Sequence, residues 1–135
     1  MLQKVLLDTN VLLRLILKDN NQQLKEIIKI LEQAESGKIN LYCKSISIFE
    51  IVFVLSGKMY QTAKSEIVEI LKTMLNISVI NFEESKELSL ALDIFLDYSI
   101  SAVDSFLIAN CILNKQDFFS FDTKANKIYK QVTKK

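Results

Sequence analysis

Four carboxylates, Asp8, Glu50, Asp104 and Asp122, occupy positions where an acid is either costly or well placed for chemistry. Asp8 closes a short apolar run over residues 4–7, and Asp122 follows another over residues 118–121. If both runs are strands of one parallel sheet, the two acids share its carboxyl edge, where βα turns converge and helix amino termini face the crevice. Each is equally suited to be the N-cap of the helix it precedes. Glu50 lies in the run 46–55, in which it and Ser47 are the polar residues, on one helical face. A helix that is apolar all round is expected to be buried, and an unpaired carboxylate there costs several kcal/mol unless it is paired or metal-bound. A glutamate snorkelling to a wet edge is the alternative. Asp104 follows Ser101 at S-x-x-D spacing, which as a capping box accounts for it without any further role.

Four ionised carboxylates brought into one pocket would repel one another, and the arrangement is tolerable only with cations present. The chain has no histidine, and neither Cys43 nor Cys111 is spaced as a metal ligand, so an all-oxygen set remains. Oxygen ligands suit Mg²⁺ or Mn²⁺ and disfavour Zn²⁺. Two such ions about 4 Å apart can generate hydroxide and stabilise the leaving oxygen of an in-line phosphodiester displacement.

The elements that would have to position these acids can be read from periodicity. Residues 4–7 are expected to be a strand, 11–17 a helix, and 21–36 a second helix, with apolar residues at 24, 27, 28, 31 and 34 and Gly37 as its stop. A strand over 39–43, helices over 46–55 and 63–75, a strand over 77–82 and helices over 83–96 and 102–113 follow. A last strand at 118–121 leads into a helix over 123–132. Strands alternating with helical pairs predict an α/β fold with a parallel sheet covered on both faces.

Composition agrees with a globular chain: 135 residues fit one domain spanning 1–135, and 50% hydrophobic against 24% charged residues leans to the apolar side. That surplus points to a partner surface. Proline is absent and Gly37 and Gly57 are the glycines, so regular elements should fill most of the chain. Cys43 and Cys111 lie far apart in apolar surroundings and are read as buried reduced thiols, which favours a cytoplasmic protein. Asp8, Asn10 and Arg14 interrupt the greasy N-terminal run, which excludes a signal peptide or membrane span. With a net charge of +1, attraction to phosphate must be local. Lys124, Lys127 and Lys130 share one face of the last helix, either as a solvated surface or as a track leading a nucleic-acid strand toward Asp122.

Taken together, Asp8-Thr9-Asn10 after a strand, Glu50 in an apolar helix, the run Asp104-Ser105-Phe106-Leu107-Ile108-Ala109, and Ser120-Phe121-Asp122 resemble the motifs of PIN-domain ribonucleases, and more narrowly of VapC-type toxins. The likeness runs from Val5 to about Lys127. It implies an α/β/α sandwich with a short central parallel sheet, a metal-dependent endoribonuclease using one or two Mg²⁺ or Mn²⁺ ions, an RNA substrate, a small antitoxin partner and a homodimer through residues 46–75. By match, Asp8, Glu50, Asp104 and Asp122 would be the catalytic, metal-holding quartet, with Thr9, Asn10 and Ser120 near the metal or phosphate. Arg14, on the face of Asn10, would contact the RNA backbone or serve only in packing and solvation. Many relatives carry an additional acid where this chain has Ser101, which bears on a second ion. A haloacid-dehalogenase or receiver-type phosphoryl-transfer protein also places acids at strand ends, but the dehalogenase motif requires aspartate where Asn10 stands. A non-catalytic PIN-like module binding RNA or protein is the other reading.

Overall fold

The computed structural model of the chain describes residues 2–134. Three short strands pair in parallel in the order β1 (Gln3–Leu6), β2 (Ile39–Cys43), β3 (Ile80–Phe82), with Leu41 of the central strand opposite both Val5 and Ile80. Parallel pairing demands a crossover between consecutive strands. The helices α1 (Thr9–Leu17) and α2 (Asn21–Glu35) make the first, and α3 (Ser45–Ser56) and α4 (Lys64–Leu75) the second. Three more helices complete the chain: α5 (Ser85–Asp97), α6 (Ala102–Leu113) and α7 (Thr123–Thr133). The result is the expected helix-rich α/β fold around a short parallel sheet. Gly37 ends α2 as expected, at φ +80°, a left-handed conformation that glycine adopts at little cost.

The strand period of two sorts the sheet residues by face. Val5, Leu7, Leu41, Cys43 and Ile80 pack into the main core with Leu12, Ile48, Ile51, Leu55 and Leu71 from the crossover helices. The alternate positions are less covered: Lys4, Leu6 and Asn81 are exposed, and Tyr42 is half-buried with the Lys4 ammonium 5.6 Å from its ring centroid. A second cluster of Ala91, Ile94, Ile108, Ala109 and Ile128 joins α5, α6 and α7, and Phe106 touches both clusters. Among the described residues, no helix is long and apolar enough to cross a membrane.

Four expectations are corrected. Residues 118–121 form no strand, because local bonds consume the groups a ladder would use: the Ser120 carbonyl accepts from Asn126 Nδ2 at 2.8 Å, and Ser120 Oγ accepts from Asp122 N at 3.0 Å. The third strand begins only at Ile80, since Ile77 and Ile80 donate their amides to Met74 and Ile77 in turns. The third helix is not buried all round: Ser47, Ile48, Ile51, Val52 and Leu55 face inward, while Ile46, Glu50 and Phe53 are exposed, because the neighbouring elements leave one side uncovered. Cys43 is buried, and burial pushes its thiol up to about 11, which keeps it protonated; Cys111 is only half-buried.

Candidate active site

The amino termini of α1, α6 and α7 each carry one of the predicted acids. Asp8 follows β1, and its Oδ1 accepts from Thr9 N at 2.9 Å. Asp122 is the N-cap of α7, with Oδ1 accepting from Lys124 N at 3.0 Å and Ala125 N at 3.1 Å. Ser101 caps α6 by accepting from Asp104 N at 3.0 Å, so the S-x-x-D spacing is a working cap. This leaves the Asp104 carboxylate without a partner among the described residues, and the same holds for Glu50. Asp122 does not lie on a sheet edge as expected, because no strand precedes it. Glu50 is solvated, so the desolvation argument for its special status fails.

Side chains tie these elements into a chain. The Thr9 hydroxyl donates to Ser47 Oγ at 2.9 Å in a buried bond, fixing the start of α1 against α3 one turn before Glu50. Phe49 and Phe106 meet edge to face at 5.0 Å, joining α3 to α6 beside Glu50 and Asp104. Lys124 Nζ donates to Ser99 Oγ at 3.2 Å, joining the start of α7 to the turn that leads into α6. Asn10 and Lys127 are exposed, and Arg14 is held by Asp19 through bonds of 2.7 and 2.8 Å from one guanidinium nitrogen. Arg14 is thus partly neutralised within the fold.

The chain belongs to the PIN domain family. Its family profile matches residues 5–131, a span that contains all four acids. PIN domains are generally metal-dependent nucleases, so nuclease-type chemistry is the family's contribution to this chain. No curated protein and no solved structure matches it.

The donor set fits a hard divalent cation in its chemistry, since Asp8 and Asp122 each keep one oxygen outside their cap bonds and Asp104 and Glu50 keep both. The side-chain positions do not by themselves form the cage. Among the described residues, no three His, Cys, Asp or Glu side chains are gathered closely enough to hold an ion.

Sequence reasoning missed Glu83, although it follows β3 as Asp8 follows β1. The N-cap residue of α3, Lys44, makes no capping bond with its side chain. Glu83 supplies the cap from across the sheet, its Oε1 accepting from Ser45 N at 3.3 Å and Ser45 Oγ at 3.1 Å while Oε2 accepts from Lys44 Nζ at 3.1 Å. The Lys44 bond, then the Ser45 amide and hydroxyl, hold the Glu83 carboxyl below its ordinary range. A carboxyl depressed in the folded state contributes stability above its unfolded pKa, and that stability is lost as pH falls through the folded value. The melting temperature of Glu83→Gln is therefore expected to lie below wild type at neutral pH, and the gap should close in the acid range below ordinary glutamate titration. Because the group is exposed, the gap should also narrow with salt. Melting curves across pH check this; a gap independent of pH would assign the effect to something other than charge.

Proposed function

We propose that this PIN domain, a single domain over residues 1–135, is an endoribonuclease whose carboxylates Asp8, Glu50, Asp104 and Asp122 hold one or two Mg²⁺ or Mn²⁺ ions. The observation that carries the reading is the PIN match over residues 5–131 together with unspent carboxylate oxygens at three helix amino termini and on α3. A bound divalent ion would lower the pKa of a water and offset charge on the phosphate. The chain's own groups do the rest. Asp8 and Asp122 are locked by their caps and fix where negative charge sits, whereas Asp104 and Glu50 are free to turn. The positive ends of α1, α6 and α7 favour an RNA phosphate beside them. Thr9, Asn10 and Ser120 would position the phosphate or the ion, and Arg14, Lys124 and Lys127 would meet the RNA backbone.

The toxin role in a toxin–antitoxin pair, with a small antitoxin and a homodimer through residues 46–75, is the finer form of this reading, as is a cytoplasmic location. The association it calls for is supported by apolar exposure: on α3, Ile46 and Phe53 are 63% and 80% exposed, and Val103 and Leu107 on neighbouring α6 are also uncovered. Patches of this kind mark association surfaces.

The test is an RNA panel incubated with Mn²⁺, with EDTA, and with the Asp8→Asn variant. Cleavage is expected with Mn²⁺ and should disappear in the other two. Cleavage that ignores EDTA, or that survives Asp8→Asn at the wild-type rate, would remove the site.

A further inference from the structure

One helical turn along α1 from Asp8, a cleft of about 210 Å³ opens between α1 and α2. Asn10 and Arg14 stand on one wall, Gln23 and Glu26 on the other, with Val11 and Ile27 among its apolar residues. The volume lies below the roughly 300–1,000 Å³ of pockets that hold drug-sized ligands, and it suits one ring system instead of a peptide helix. Its chemistry is that of base recognition. Proteins read single-stranded RNA by stacking splayed bases on aromatic or guanidinium planes and bonding their exposed edges with amide and carboxylate side chains.

The polar groups here are distinct in availability. The guanidinium of Arg14 is bonded to Asp19 through one nitrogen, which leaves its other donors unspent. Asn10, Gln23 and Glu26 have side chains with no hydrogen bond among the described residues. Ionised Glu26 is an acceptor with two oxygens, complementary to an edge presenting two donors side by side. Guanine has such an edge in N1–H and its exocyclic amine, and uracil has a single donor flanked by acceptors.

We propose that the α1–α2 cleft holds one unpaired base of the RNA, with guanine the best-matched base. The inference rests on the ribonuclease reading for its substrate, but binding can be measured without cleavage. The four ribonucleoside monophosphates are titrated into the full chain in EDTA and followed by amide chemical shifts. GMP is expected to saturate at least tenfold more tightly than UMP, with shifts confined to residues around Asn10, Gln23 and Glu26. Glu26→Ala and Glu26→Gln, both on an exposed helix position, should bring GMP to the level of UMP while the remaining spectrum stays folded.

Equal binding of GMP and UMP, or a GMP preference that survives both variants, overturns the cleft. The two readings fail separately. RNA that is never cut, alongside GMP binding lost in Glu26→Ala, would retire the nuclease and keep the base pocket. RNA cut at the same sequences by wild type and Glu26→Ala would do the reverse.

Discussion

Asp122→Asn is expected to fold with wild-type stability and to lose RNA cleavage by about a hundredfold or more, whereas Asp122→Ala should lose stability as well. The difference follows from how the carboxylate is divided. One oxygen, Oδ1, accepts both capping bonds at the start of α7, from Lys124 N and Ala125 N. Asparagine keeps an oxygen at that position and ranks with aspartate as an N-cap, so the helix should not register the change. It replaces the other oxygen by an amide nitrogen and removes the charge, which is what a cation or a charged transition state would register. Losing about 3 kcal/mol of electrostatic stabilisation corresponds to about a hundredfold in rate. Alanine forfeits the cap besides, at a cost of about 1 kcal/mol. Denaturation curves and cleavage rates on the same preparations check both halves. If Asp122→Asn cuts RNA normally, Asp122 is a cap and nothing more, and the site loses its member from α7.

That experiment addresses what the sequence left open at three of the four acids. The spacing Ser101-x-x-Asp104 and the positions of Asp8 and Asp122 before helices predict caps, and the structure contains the Ser101 cap on α6 and both aspartate side chains bonded to backbone amides. Capping is local, so it is legible from a few residues. Convergence of the acids would not be local: it would depend on contacts such as Thr9 with Ser47 and Lys124 with Ser99, between residues far apart in sequence. The sheet shows the same division. The strand Ile39–Cys43 is found with the predicted bounds because Ile39, Leu41 and Cys43 alternate with Asn40 and Tyr42 at the strand period of two, and its end is marked by Lys44. The run Phe118-Phe119-Ser120-Phe121 has the composition of a strand, yet Phe119 and Phe121 are 85% and 93% exposed. Two bonds centred on Ser120 outweigh the aromatic preference for a pleated sheet. Glu83 was overlooked because its role as a cap for α3 is assembled across the sheet, from the residue after β3 to Ser45, the first residue of α3.

Within α3 the burden of stability and the proposed burden of chemistry fall on adjacent residues, which permits a sharp separation. Ile51 is fully buried at 0% exposure in the main core, while Glu50 points to solvent. Ile51→Ala removes apolar contacts that the close-packed surroundings cannot restore, and it is expected to cost about 2–5 kcal/mol of unfolding free energy. Against a typical total of about 5–15 kcal/mol this is a large fraction, visible as a lower denaturation midpoint with an unchanged slope. Glu50→Gln preserves the shape of an exposed side chain and should move stability by no more than about 0.5 kcal/mol. Its effect is expected in the cleavage rate, because the lost charge is one of the four that the proposed ion would need. The pair therefore distinguishes damage to the helix from damage to the site. If Glu50→Gln cleaves RNA like wild type, then Glu50 is a solvated residue on an uncovered helix face, and the quartet contracts to the three aspartates at the helix amino termini.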